Sequence, residues 1–286
     1  MPDLNTNLYA LGALRGVQGA DRLIGGSLKK LSSGLAINSG ADNPAGLVIS
    51  ETLRSQISGI NAAMRNSQEA LNVVNIAEAG AGQASDLLVR ARELAVRAAN
   101  TGANSPGQVA ALQTELDNTL EAINRLAGST RFAGQALLDG STPTRTFQLG
   151  ADGAAATEAT VDMPDIRTTT LGTSGGGAAL ETVRAGGAND LAADPNAAIQ
   201  VIDQAIADVN AGRGTLGAFQ KDTLQSVYNT LSVAFENVTA TESSIRDLNF
   251  AEGVSDQILG ANLLQAGIFG MKNANFAKQA MLQLLG

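Results

Sequence analysis

"LSSGLAINSGADNPAGL" (residues 31–47) lies between two long helix-like patterns and gathers Ser, Gly, Asn, Asp and Pro into one short stretch. Such a cluster either cradles a ligand or joins two rods. Ser32, Ser33 and Gly34 stop one helix, and Gly40 with Asp42-Asn43-Pro44 starts the next. Asn43 suits an N-cap, and Pro44 suits the first helical position, where its missing N–H costs nothing. Read this way the stretch is a joint, with Ser33, Gly34, Asn43 and Pro44 as its working residues.

Both sides of the joint support that reading. Downstream, Leu53, Ile57, Ile60, Met64, Leu71 and Val74 fall at spacings of three and four, with Ser67 filling the one gap. That is a coiled-coil seam. Ala77, Ala81 and Ala84 continue it to Leu87, Leu88, Leu94 and Ala95, so one helix is expected to run to about Ala99. At 1.5 Å per residue it would span roughly 80 Å. "NTGANSPG" (100–107) breaks it, and Val109, Leu112, Leu116, Leu120, Ile123 and Leu126 mark a second helix. The C-terminal third repeats the pattern from Ile202 through Ile206, Val209 and Leu216. Beyond it come Val227, Leu231, Ala234, Val238, Thr241, Ile245 and Leu248. The middle differs: "RTFQLGADG" and "ATVDMP" alternate apolar and polar residues around Asp152-Gly153, which predicts a β-hairpin. Residues 168–190 are rich in Gly and Thr without a period and are expected to be surface loop. The predicted fold is mainly α: a long-helix coiled-coil rod bundle formed by the N- and C-terminal halves, with a small β-hairpin subdomain.

The two chain ends are apolar where ends are usually polar and frayed. Leu4, Leu8, Leu11, Ile24, Leu28, Leu31 and Leu35 lie near one helical stripe, and residues 257–286 hold only two charges, Lys272 and Lys278. Ile258, Leu264, Ile268 and Met271 carry the apolar pattern of that second end. Seams this rich are expected to pair with each other and then with other molecules, as a polymer core.

Composition narrows the function classes. The 286 residues carry 19 basic and 27 acidic side chains, net −8, so nucleic acid is an unsuitable partner. There is no His, Cys or Trp. That removes the common catalytic triads, thiol nucleophiles and most transition-metal sites, so neither enzyme nor cofactor is expected. The first residues lack the basic and apolar regions of a cleaved signal peptide, and no window of about 18 apolar residues suggests a membrane span. Ser27-x-x-Lys30 matches one motif of penicillin-recognising enzymes but lacks its companions S-D-N and K-T-G. "GTSGGG" lacks the Lys of a phosphate loop, and Asp42, Asp162 and Asp165 lack calcium-loop spacing. "NVT" at Asn237 lies mid-helix. Arg90, Arg92 and Glu93 read as an ordinary charged helix face.

Four blocks carry a resemblance: "LNTNLYAL", "LKKLSSGLAINSGADNPAGLVISETL…NIAE", "RARELAVRAANTG" and "SSIRDLNFAEGVSDQILGANLLQAGIFGMKNANFAKQAMLQLLG". Together they resemble bacterial flagellin over most of the chain apart from about 173–195. The resemblance implies an inner terminal domain of 1–44 and 249–286. It implies a helical rod of 45–140 and 195–248, a hairpin part at 141–172 and a short variable surface loop at 173–194. It implies a short form without the larger outer domains of long flagellins. It further implies a secreted, extracellular subunit of the flagellar filament that polymerises with itself. The implied partners are the flagellar export apparatus, an export chaperone, and the filament cap and junction proteins. The patch read by the flagellin-sensing Toll-like receptor of animals corresponds to Arg90 and Leu94, with Glu115 after a one-residue shift, and the resemblance implies that the same patch contacts a neighbouring subunit in the filament. Glycans in this family sit on surface Ser and Thr, which here would include Thr168–Thr170 and Ser174. A hook–filament junction protein shares the terminal blocks, and a cytosolic signalling coiled coil shares the heptads. The "RELAV" and hairpin blocks favour flagellin over the first, and the apolar ends favour it over the second.

Overall fold

A computed structural model describes residues 7–151 and 157–285. The Asp152-Gly153 turn and Leu4 therefore lie outside the described residues. Six α-helices dominate: α1 (Leu8–Ser33), α2 (Pro44–Ala98), α3 (Pro106–Ser129), α4 (Pro195–Ala218), α5 (Ser226–Arg246) and α6 (Phe250–Leu285). A π-helical segment, Phe219–Gln225, joins α4 to α5 without a break, so the helix runs on through "AGRG". Two antiparallel pairs complete the fold: β1 (Arg131–Phe132) with β2 (Gln135–Ala136), and β3 (Thr144–Gln148) with β4 (Glu158–Asp162). The chain forms two compact units, residues 58–235 and residues 1–57 with 236–286.

Capping sets the helix starts. Asn43 Oδ1 accepts the Gly46 N–H at 2.9 Å as Pro44 opens α2. Ser105 and Gln108 cap each other reciprocally at the start of α3, followed by Pro106. Asp194 accepts two backbone N–H groups ahead of Pro195 in α4. Gly34 ends α1 at φ 72°, a left-handed conformation that glycine adopts without a Cβ clash.

The joint is also clasped from the far end of the chain. Ala36 N–H donates to the Arg246 carbonyl at 2.7 Å, and Leu248 N–H donates to the Gly34 carbonyl at 2.9 Å. Ser39 Oγ and the backbone N–H groups of Asn38 and Ser39 all donate to Asp42 Oδ2. These bonds hold the Asp42 carboxyl below its ordinary pKa. Arg246 donates to Glu51 at 2.6 Å and lowers the pKa of that carboxyl.

The larger unit has one apolar core. Leu88 of α2, Leu116, Leu120 and Ile123 of α3, and Ile202 and Leu216 of α4 are fully buried in it. Ser67 fills the predicted gap in the α2 seam: it is fully buried and donates to the Ala63 carbonyl at 2.9 Å. The hairpin keeps the predicted alternation, with Leu149, Val161 and Met163 buried. On α5 the stripe is half-buried, and Thr241, expected on it, is exposed.

Residues 168–190, expected to be surface loop, are in good part core. Leu171, Leu180 and Val183 join the apolar cluster, as does Leu191 just beyond. Side chains from the helices hold the backbone. Gln113 donates to the Val183 carbonyl and accepts the Leu191 N–H, and Asp208 accepts the Gly172 N–H. Thr168, fully buried, accepts from the Asn124 amide at 2.9 Å and donates to Glu181 at 2.5 Å. Four apolar residues separated by Gly, Ser and Thr have no period, so hydropathy alone could not show their burial.

The Thr168 hydrogen bond is the first cause of the lowered Glu181 pKa, with Arg184 contributing further. A carboxylate with a depressed folded pKa adds stability above its unfolded pKa, and that stability is lost as pH falls through the folded value. Thr168→Val should therefore return the Glu181 titration, followed by carboxyl NMR, toward the ordinary Glu range near 4.3. By leaving Asn124 short of a partner it should also cost about 1–3 kcal/mol in denaturant unfolding.

Candidate assembly seam and recognition patch

α1 and α6 pair antiparallel through a seam of glycines. Gly253, Gly260 and Gly267 recur every seventh residue of α6, and Val17, Ile24 and Leu31 every seventh of α1. A Cβ at Gly260 would lie 2.8 Å from Ile24 Cγ1. At Gly267 it would lie 2.7 Å from Val17 Cγ2, and at Gly253 3.2 Å from Leu31 Cδ2. Each glycine is thus a hole and each α1 side chain a knob. The same register sets small residues of α1 against large ones of α6: Ala20 falls opposite Leu264, and Ala13 opposite Met271. Asn7 closes the seam, capping α1 through Ala10 N–H while its amide donates to the Ala274 carbonyl at 3.1 Å.

Magnitudes show what the glycines are for. Each mid-helix Gly costs about 1 kcal/mol against Ala. A half-buried Val, Ile or Leu recovers roughly the same amount. The seam therefore comes close to break-even in stability while rejecting registers out of step with the heptad.

The residues expected to form a polymer core divide into two groups. Ile24, Leu31, Leu264 and Met271 are half-buried, turned toward the α1–α6 seam, and Leu35 is half-buried in the joint, bridged to Asp247. Leu8, Leu11, Leu28, Ile258 and Ile268 are exposed. Sequence reading missed further exposed apolar groups: Tyr9 at 86%, Phe269 at 66% and Phe276 at 73%. A helical wheel would have found Phe269 and Phe276, because the apolar residues of α6 are spread around its circumference; Tyr9 lies on α1, next to Leu8. The 36 residues of α6 carry only Glu252, Asp256, Lys272 and Lys278 as charges. A helix apolar on all sides belongs inside a larger packing than one partner provides.

In the other unit, the Arg90 guanidinium pairs with Glu115 across α2 and α3, both side chains exposed. Leu94 does not share that face; at 2% exposure it belongs to the core. Four residues turn a helix about 40° beyond one full turn. That rotation carries Leu94 to the side of Ala91, Ala95 and Ala98 and leaves Arg90 outside. Val89 and Val96, seven apart, are the exposed apolar residues of this stretch. A groove of ≈ 530 Å³ opens beside the pair, lined among others by Val96, Arg97, Leu112 and Glu115.

The remaining candidates have local explanations. Ser27 of the S-x-x-K match is 5% exposed and donates to the Ile24 carbonyl at 3.0 Å, so it is not presented as a nucleophile. Of the glycan candidates, Thr168 is buried, whereas Thr169, Thr170 and Ser174 are exposed. No group of His, Cys, Asp or Glu suited to a metal ion occurs among the described residues. No described helix is long and apolar enough to cross a membrane.

α1 and α6, from the two ends of the chain, pair and leave large apolar side chains exposed, the character of a protein that assembles with others. Comparison with known proteins gives the family. The model for the bacterial flagellin N-terminal helical region matches residues 4–142, and that for the bacterial flagellin C-terminal helical region matches 199–285. Flagellin of Bacillus subtilis is 35% identical over 309 residues, covering 99% of both chains. Flagellin of Halalkalibacterium halodurans is 36% identical over 289 residues, again 99% of both. A crystal structure of Bacillus cereus flagellin shares 27% identity over 58% of this chain and 88% of that one, with a TM-score of 0.46. The chain belongs to the bacterial flagellin family, the structural subunits of flagellar filaments.

The seam makes a direct expectation. Gly260→Leu places a branched side chain against Ile24 and the Ala20 carbonyl. Overpacking of this kind costs about 1–3 kcal/mol. Amide hydrogen exchange should therefore quicken along α1 and α6 and stay unchanged in α3 and α4. Unchanged protection in α1 would show that the glycine is not needed for close approach.

Proposed function

We propose that α1 and α6 form the inner core of the flagellar filament, and that residues 58–235 form most of the rod outside it. The single observation carrying this reading is the all-round apolar surface of α6, which its pairing with α1 covers on one side only. Neighbouring copies supply the remaining cover, contributing about 1.5–3 kcal/mol for each large side chain newly buried. The subunit reaches the cell exterior through the flagellar export apparatus, attended by an export chaperone that shields the apolar ends. It then assembles beneath the filament cap onto the junction proteins. No catalytic step is assigned to it. These partners follow from family membership together with apolar ends that need cover before assembly.

The surface around Arg90 and Glu115 is proposed as the contact for the Toll-like receptor of animal hosts. The exposed ion pair, the neighbouring Val89 and Val96, and the adjacent groove combine charge with apolar anchors, as binding hot spots do. Leu94 contributes from beneath by holding α2 in the core.

Two measurements test these assignments. Deleting residues 1–35 or 257–286 should leave a soluble, largely helical monomer that forms no filament by electron microscopy; normal filaments from either truncation would remove the ends from the core. In a receptor-signalling assay, Arg90→Ala should weaken activation by the monomer about tenfold while leaving its unfolding midpoint unchanged. Leu94→Ala should instead destabilise the fold by about 2–5 kcal/mol as a core cavity. Full signalling by Arg90→Ala would leave this surface as a solvated helix face.

A further inference from the structure

Residues 168–181 fold back on themselves and are bonded to α3 and α4 as a flap. One carboxylate controls the most buried of the contacts that hold it. Thr168 is fully buried. Its N–H donates to Asn124 Oδ1 of α3 at 3.0 Å, and its hydroxyl accepts the Asn124 amide at 2.9 Å and donates to Glu181 at 2.5 Å. Glu181 also accepts from Arg184 at 3.0 Å. The flap closes on itself through Glu181 N–H to the Thr168 carbonyl at 2.9 Å and Leu180 N–H to the Leu171 carbonyl at 2.8 Å. Asp208 of α4 accepts the Gly172 N–H at 2.8 Å. Leu171 and Leu180 are buried beneath it, and a Cβ at Gly172 would stand 3.4 Å from Val201 Cγ1 of α4.

The stretch that follows is held by a group that does not titrate. Gln113 of α3, itself buried, donates to the Val183 carbonyl at 3.0 Å and accepts the Leu191 N–H at 2.8 Å. The other charged groups nearby are engaged elsewhere. Arg184 is attracted by Asp117 and Glu121 of α3 as well as by Glu181, so it keeps partners if Glu181 loses its charge. Glu121 pairs with Arg125, and Asp117 accepts from Gln113 and from the Ala185 N–H. On α4, Asp208 accepts from Gln204 besides Gly172, and Asp203 pairs with Arg92. Asp165, ahead of the flap, pairs with Arg167 and accepts the Thr170 hydroxyl. Among the described residues, Glu181 is the acidic group bonded to Thr168.

We propose that residues 168–181 are an acid-released flap, clamped on α3 and α4 while Glu181 is ionised. Once Glu181 is protonated the flap opens, and residues 183–191 stay pinned by Gln113. An ionised carboxylate accepts from Thr168 and Arg184 through charge-assisted hydrogen bonds, roughly twice as strong as neutral ones. Protonation removes that assistance at both contacts and leaves Thr168 and Asn124 as a neutral pair. Thr168 first, and then Arg184, hold the Glu181 carboxyl below its ordinary pKa. The closed flap therefore binds the proton less readily than the open one. Closure is favoured above the ordinary Glu range near about 4.3 and weakens as pH falls through the lower value of the closed flap. Opening bares Leu171, Leu180 and the α4 surface around Val201. The device belongs to the single chain and does not depend on assembly.

The test is hydrogen exchange of the full-length monomer, read residue by residue as protection factors from neutral pH to about pH 3.5. The Thr168, Gly172, Leu180 and Glu181 amides should lose about tenfold or more of their protection across that range. Leu191, bonded to Gln113, should keep its protection, as should Leu120 and Ile202 in the core. Glu181→Gln keeps the shape of the side chain and removes its charge. Its flap should be less protected by the same factor already at neutral pH and change little toward acid, with circular dichroism like the parent's. In the parent itself, flap opening should track the Glu181 titration followed by carboxyl NMR, and a mismatch would count against the proposal whatever the variant does. Flap protection that stays constant into acid would overturn it. So would loss of Leu180 and Leu120 protection together, which would mean that the unit unfolds as a whole. A Glu181→Gln variant that keeps the parent's pH dependence would hand the release to Asp165 or Asp208 and sink the assignment to Glu181.

Discussion

Close approach of α1 and α6 is the constraint on which the rest depends. Two helices at opposite ends of the chain, each with a large apolar surface, must find one register out of many that hydrophobicity alone would accept. Leucine against leucine would pair in several. Glycine holes every seventh residue, filled by Val17, Ile24 and Leu31, reject those out of step with the heptad. The register then fixes which side chains of each helix remain outside. Those outer faces are the ones left to meet other molecules.

The joint carries the consequence through the chain. With α1 ended at Gly34 and α2 started at Asn43-Pro44, the connecting backbone could take many paths. Hydrogen bonds from Ala36 and Leu248 tie it to the segment between α5 and α6, and Arg246 reaches Glu51 on α2. The elements that meet here come from both halves of the sequence. Surface ion pairs such as Arg90–Glu115 add little to this, because exposed pairs contribute about 0–1 kcal/mol. The fold is held by packing and by capped helix ends.

Much of both fold and candidate site was legible in the sequence. Heptads announced α2, down to a buried serine at Ser67, because a seam is a local repeat with a fixed period. Asn43-Pro44 announced a helix start, since capping is decided within four residues. The apolar ends announced the exposed apolar side chains of α1 and α6. The core role of residues 168–190 was not legible, because isolated apolar residues among Gly and Thr have no period to detect. Nor was the π-helical segment at Phe219–Gln225, which keeps helical composition while its hydrogen bonding changes.

What the sequence by itself determined is the set of rods, their starts and stops, and the excess of apolar surface at the two ends. Local propensity, capping and periodicity depend on neighbours within a few residues, and these are written in order along the chain. Only the tertiary structure decided which side of each rod faces inward. Leu94 went to the core and Arg90 to the surface although both lie on one stretch of helix, because the positions of α3 and α4 set where the buried face ends. Ile24 went to a glycine of α6 and Leu28 to the exterior for the same reason. A contact between residues more than two hundred positions apart has no local signature, and its geometry appears only when the partner helix is in place.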